Sequence, residues 1–157
     1  MRIGHGYDLH RVCDDRKLML GGVQIPWDRG LLGHSDADVL LHAVTDAVLG
    51  ALALGDIGQW FPDTDETYRG ADSARLLRHV LADDRVRAWS LGNLDAVVLA
   101  EQPKLAPHVP AIRASLADIF ACDISQISVK ATTVEKADAI GRGEAIAAHA
   151  TLLLERD

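Results

Sequence analysis

His34-Ser35-Asp36-Ala37-Asp38-Val39-Leu40-Leu41-His42 is where a polar, glycine-bearing loop over 28–37 gives way to an apolar run. From Asp38 to about Leu54 the chain is rich in Ala, Leu and Val, which predicts a helix, and Gly55 stops it. Asp38, His42 and Asp46 recur every fourth residue and form one polar stripe along that helix. A helix so apolar that carries a stripe of titratable side chains must bury them or use them.

Working outward, Gly6-Tyr7-Asp8-Leu9-His10 lies in a predicted strand over 2–12 that Gly4 and Gly6 interrupt. Asp8 and His10 are two apart, so both point to one face of a strand. With His42 they make one carboxylate and two imidazoles. Three protein ligands leave a position for water or substrate, as in a catalytic zinc site and unlike a closed structural one. Spacing alone also admits a turn role for Asp8 and a helix role for His42. Asp36 and Asp38 are further candidate ligands. The preferred assignment has Asp36 capping the helix N-terminus and Asp38 packed beside His42 in support. His79 and His149 are read as structural.

Lys17-Leu18-Met19-Leu20 and Val23-Gln24-Ile25 flank Gly21-Gly22, a hairpin signal. Pro26 ends the second strand. Residues 55–70 read as a loop. Helices are predicted over about Ser73–Asp84 and Pro107–Ala121, the second burying Ile112, Leu116, Ile119 and Phe120. Strands are predicted over Leu91–Ala100, clearest at Ala96–Leu99, and over Ile127–Ala131 and Ala145–Leu154. Strands and helices are mixed with hairpin-like neighbours, so the class is α+β, a mixed sheet with helices on one face.

The 157 residues suit one domain, 1–157, and 48% apolar content suffices for a core. Lys+Arg of 16 against Asp+Glu of 23 leaves a formal charge of −7. That balance argues against general nucleic-acid or anionic-membrane partners. Cys13 and Cys122 lack metal or redox spacing and suit a reducing cytoplasm. No run is long enough to span a bilayer, and Met1-Arg2-Ile3-Gly4-His5 is no signal segment.

Several motifs occur together and in order: Arg2 to His10, His34 to His42, Gly55-Asp56-Ile57-Gly58, Phe61-Pro62-Asp63-Thr64-Asp65, Lys130-Ala131-Thr132-Thr133, Glu135-Lys136 and Gly141-Arg142-Gly143-Glu144. In these the chain resembles, nearly end to end, the 2-C-methyl-D-erythritol 2,4-cyclodiphosphate synthases of the non-mevalonate isoprenoid pathway. The resemblance implies conversion of 4-diphosphocytidyl-2-C-methyl-D-erythritol 2-phosphate to a cyclic diphosphate with release of CMP. It implies Zn2+ on Asp8, His10 and His42, and a second ion, Mg2+ or Mn2+, on Glu135. His34 and Thr133 would act on the transferring phosphoryl group, with Ser35 touching the same phosphate.

By the same resemblance, Asp56, Ile57, Gly58, Phe61, Pro62, Asp63, Thr64 and Asp65 hold the methylerythritol moiety. The loop of Ala100, Glu101, Gln102, Pro103, Lys104, Leu105 and Ala106 holds the cytosine. Thr132, Val134, Ala139 and Arg142 complete the implied substrate-binding set. The family is a homotrimer with active sites between subunits around a central cavity, to which Arg142 and Glu144 belong. Tyr7 and Ala139 depart from the Phe expected at both positions in some relatives. Two other functions compete: a pterin synthase-like zinc lyase, which would want a histidine-dominated zinc set, and a non-enzymatic binder of isoprenoid phosphates. Neither uses the nucleotide and phosphate motifs together with the metal trio.

Overall fold

The structure, a computed structural model, describes residues 1–156. A long strand β1 (Arg2–Asp14) leads into a small hairpin of β2 (Leu18–Leu20) and β3 (Val23–Ile25), then β4 (Arg29–Leu31) and helix α1 (Val39–Ala51). After it come a one-turn helix α2 (Ile57–Trp60), helix α3 (Ser73–Ala82), strand β5 (Ser90–Leu99), helix α4 (Val109–Phe120), and strands β6 (Ile127–Thr132) and β7 (Ala145–Glu155). The main sheet runs β4-β1-β7-β5-β6. Its pairs are antiparallel except β5 with β6, which α4 connects as a crossover. The α+β reading with a mixed sheet therefore holds. Among the described residues, no helix is long and apolar enough to cross a membrane.

Helix α1 is the centre of the core. Val39, Leu40, Leu41, Val44, Val48 and Leu49 are all 0% exposed, each contributing roughly 1.5–3 kcal/mol by burial. The helix can lie this close to the sheet because β1 offers two glycines to it. A Cβ on Gly4 would stand 1.8 Å from the Ala47 carbonyl oxygen, and one on Gly6 1.9 Å from that of Ala43. Alternation along β1 then puts Asp8 and His10 on the face that carries Gly4 and Gly6. Ile3, His5, Tyr7 and Leu9 point the other way and stay exposed.

Two loops carry more structure than composition suggests. Within 28–37, Arg29–Leu31 pairs antiparallel with β1, with Val12 opposite Leu31. A three-residue edge strand shows no period that marks it in sequence. Within 55–70, Ile57–Trp60 is helical and Glu66–Tyr68 is a 3-10 turn, each started by an aspartate, Asp56 and Asp65, that accepts a hydrogen bond from a following amide.

The roles expected of Asp36 and Asp38 are exchanged. Asp38 is the residue in extended conformation just before α1, so its Oδ1 accepts from the Leu41 amide at 3.0 Å and caps the helix. It also accepts from the amides of Gly21 at 2.9 Å and Gly22 at 2.7 Å, tying the β2–β3 turn to the helix. Burial pushes its carboxyl up, against these three donors. Asp36 instead accepts from the amide and the hydroxyl of Ser73, at the start of α3.

Candidate metal centre and adjoining cavity

Asp8 and His10 on β1 meet His42, one turn into α1. His10 Nε2 is 2.9 Å from Asp8 Oδ2, His42 Nδ1 is 3.0 Å from the same oxygen, and the two ring nitrogens are 3.0 Å apart. Neighbouring ligand atoms around a tetrahedral zinc at about 2.0–2.1 Å are separated by ~3.3 Å. The triangle of donors thus has the size a metal requires, and the donor set of one carboxylate and two imidazoles suits zinc.

The outward ring nitrogens are held in place. His10 Nδ1 donates to the Leu32 carbonyl at 2.8 Å, which fixes the tautomer with Nε2 free to ligate. His42 Nε2 lies 3.1 Å from both Ser35 Oγ and Ser73 Oγ. Ser73 in turn donates to Asp36. The relay His42–Ser73–Asp36 orients the ligand, and Ser73 carries no sequence signal beyond opening a helix.

Burial raises the pKa of Asp8, but hydrogen bonds from His10 and His42 outweigh it and hold the carboxyl well below the usual range. Burial depresses His10, yet its contact with Asp8 wins and raises it above the ordinary value of about 6.5. In the metal-free protein a proton at the ligand position of His10 is therefore held more firmly than on a free imidazole. A metal must displace that proton, so affinity rises with pH through the raised His10 value. The zinc-induced increase in Tm is expected to grow from about pH 6 to about pH 8. A zinc-induced shift that shrinks over this range would show that the proton and the metal do not compete.

A cavity of about 280 Å3 adjoins the trio and is lined by His10, Gly33, His34, Ser35, His42, Ile57, Gly58, Phe61, Asp63, Tyr68 and Leu76. Four of the motif segments, those ending at His10, spanning His34 to His42, and holding Ile57-Gly58 and Phe61 to Asp65, thus face one space. His34 Nε2 donates to the Asp65 carbonyl at 3.0 Å, linking the segment 33–35 to the turn after Pro62. Asp46, one turn beyond His42, accepts from the Ile57 amide at 2.7 Å and anchors the 55–58 loop to α1. Asp56 spends both oxygens on Gln59, accepting from its amide at 2.9 Å and its side chain at 2.6 Å. Tyr68 and Leu76 were missed in the sequence because neither belongs to a polar motif. His79 packs edge-on against Phe61, ring centres 5.9 Å apart.

The other implied residues lie elsewhere in the chain. The loop 100–106 follows β5, Thr132 ends β6, and Thr133, Val134 and Glu135 follow it; none of these lines the cavity beside the metal trio. Thr133 Oγ1 donates to Glu135 Oε1 at 2.9 Å. Glu135 and Lys136 both have left-handed φ values, 54° and 61°, which cost a non-glycine residue about 1 kcal/mol or more. Ala139 and Arg142 line a second cavity of about 630 Å3 with Leu9, Arg11 and Glu144.

Residues 1–155 match the YgbB family. The chain belongs to that family. A 2-C-methyl-D-erythritol 2,4-cyclodiphosphate synthase of Geobacter metallireducens is 60% identical over 156 residues, covering 99% of each chain. A solved synthase of the same description, in a CDP-bound form, has a TM-score of 0.89 and 39% identity, over 98% of this chain and all of its own. The bifunctional IspDF of Campylobacter jejuni superposes with a TM-score of 0.94 and 42% identity over 99% of this chain, which spans 42% of that longer protein. The protein is an enzyme of this synthase class, a lyase of isoprenoid precursor biosynthesis.

Proposed function

We propose that the protein converts 4-diphosphocytidyl-2-C-methyl-D-erythritol 2-phosphate to 2-C-methyl-D-erythritol 2,4-cyclodiphosphate and CMP. The observation that carries this reading is the 3 Å triangle of Asp8, His10 and His42 opening onto the cavity of His34, Ser35 and Asp63. An oxygen of the substrate's 2-phosphate bonds to the β-phosphorus of its diphosphate. The bond from that phosphorus to the bridging oxygen breaks, and CMP leaves. The substrate supplies its own nucleophile, so the protein's task is positioning and charge stabilisation.

Asp8, His10 and His42 hold Zn2+, and Glu135 holds Mg2+ or Mn2+. Bound there, the two ions offset repulsion between the phosphates and the charge that develops during transfer. His34 and Thr133 act on the transferring group, and Ser35 contacts the same phosphate. Asp56, Ile57, Gly58 and Phe61 to Asp65 form the wall for the methylerythritol moiety. The 100–106 loop reads the cytosine; that a relative at 39% identity exists in a CDP-bound form supports a cytidine nucleotide as ligand.

One chain does not bring these parts to one cavity, and this supports a homotrimer with sites between subunits. The sheet face opposite α1 carries Ile3, Tyr7 and Leu9 at 73%, 48% and 40% exposure. Further copies of this chain cover that apolar face and bring the second half of each site. Light scattering of the protein at micromolar concentration is expected to return three times the chain mass of 16.9 kDa. A monomer with full activity rules the assembly out.

The reaction is tested by phosphorus NMR of the products formed from the diphosphocytidyl substrate with zinc and magnesium. The cyclic diphosphate and CMP are expected in equal amounts. Methylerythritol 2,4-bisphosphate, two separate monophosphates with no P–O–P link, formed with CMP would mean attack by water, and a metal-dependent hydrolase would replace the cyclase.

A further inference from the structure

We infer that Arg16 is a positioning residue for the phosphate-facing segment that carries His34 and Ser35, and this rests on the cyclase reading above. Arg16 lies in the turn between β1 and β2, outside every motif that carries the family resemblance. Its Nη1 donates to the Gly33 carbonyl at 2.7 Å and its Nη2 to the Ser35 carbonyl at 2.5 Å. These two carbonyls flank His34. The His34 carbonyl between them accepts from the Gly70 amide at 2.7 Å. The guanidinium thus does the work of a neighbouring strand, satisfying alternate carbonyls of a segment with no ladder on that side.

The segment so held contacts both metal-ligating histidines. The carbonyl preceding Gly33, that of Leu32, accepts from His10 Nδ1. Ser35 Oγ stands 3.1 Å from His42 Nε2 and accepts from the Ala37 amide at 3.1 Å. His34 is therefore delivered to the cavity by a stretch of backbone whose flanking carbonyls both depend on one side chain. The anchor is itself fixed. Gly30 of β4 lies so close to the Arg16 turn that a Cβ there would be 2.5 Å from the Arg16 carbonyl oxygen. The planar fork aims a separate nitrogen at each carbonyl, a fixed two-point geometry that the compact ammonium of a flexible lysine does not reproduce.

The test compares zinc-loaded wild type with Arg16→Ala and Arg16→Lys. Both variants are expected to keep zinc and a wild-type circular dichroism spectrum. Arg16→Ala is expected to lose about 30-fold in kcat with KM changed less than about threefold, because misplacement of a group by an ångström costs on this scale. Guanidinium ion added at millimolar concentration is expected to restore kcat of Arg16→Ala saturably, with no gain from urea and none in wild type. Arg16→Lys is expected to remain at least about fivefold below wild type. A kcat of Arg16→Ala within about twofold of wild type overturns the inference. Loss of activity together with loss of zinc, and with no response to guanidinium, also overturns it by showing a role in folding alone. If wild type forms no cyclic product, the cyclase reading fails while Arg16 is still judged by NMR. The His34 ring signals should shift in Arg16→Ala and return with guanidinium; unchanged signals reject the inference.

Discussion

His42→Ala is expected to remove the zinc and the cyclic product while leaving the fold. The ring is one of three candidate ligands and the one that α1 offers, so nothing nearby would replace it. Loss of a supporting partner alone typically costs 10–100-fold in metal affinity, so loss of the ligand should cost more than ~100-fold. Alanine is the best helix former and suits an interior position of α1. The contacts that go are those to Asp8, His10, Ser35 and Ser73, while Asp36 keeps its hold on Ser73. Asp8 and His10 keep their contact at 2.9 Å. Metal analysis, product assay and a melting curve against metal-free wild type check this. Zinc retained at wild-type stoichiometry would mean that the metal sits elsewhere.

Gly6→Ala is expected to be the more damaging change, although it deletes no functional atom. The added Cβ would stand 1.9 Å from the Ala43 carbonyl oxygen and 2.9 Å from the Ala47 amide nitrogen. Both are backbone atoms of a buried helix, which cannot turn aside as a side chain does. Overpacking in a core costs typically 1–3 kcal/mol and more where backbone must move, a large part of the ~5–15 kcal/mol that holds a domain together. If the chain still folds, α1 must tilt away from β1 and carry His42 from Asp8 and His10. A fall of roughly 10 °C or more in Tm, or folded protein with much weakened zinc binding, is expected. Wild-type stability with normal zinc content would show that α1 does not lean on β1 at this glycine. The same contact thus serves packing and the placement of the candidate metal trio.

Two physical patterns made much of this chain readable in one dimension. Period-two alternation put Asp8 and His10 on one face, and the apolar run after Asp38 announced the central helix. Both are local, since they depend on spacing along a single element. The Gly21-Gly22 turn was legible for the same reason, as left-handed φ values of 62° and 77° at these residues show. The edge strand Arg29–Leu31 and the one-turn helix Ile57–Trp60 were not legible. They are too short for any period to emerge, and partners distant in sequence stabilise them.

The sequence by itself determined the longer elements, the α+β class and a short set of candidate metal ligands, because spacing and side-chain chemistry are properties of the chain. Only the tertiary structure decided which aspartate does what. Asp36 and Asp38 are two residues apart and chemically identical. One caps α1 and the other holds Ser73 because of where α3 and the β2–β3 turn lie in space. The same holds for Arg16, whose partners are two carbonyls and so leave no mark on residue identity at 33 and 35. Motifs record side-chain chemistry; backbone carbonyls are the same at every residue, and their partners are chosen by the fold.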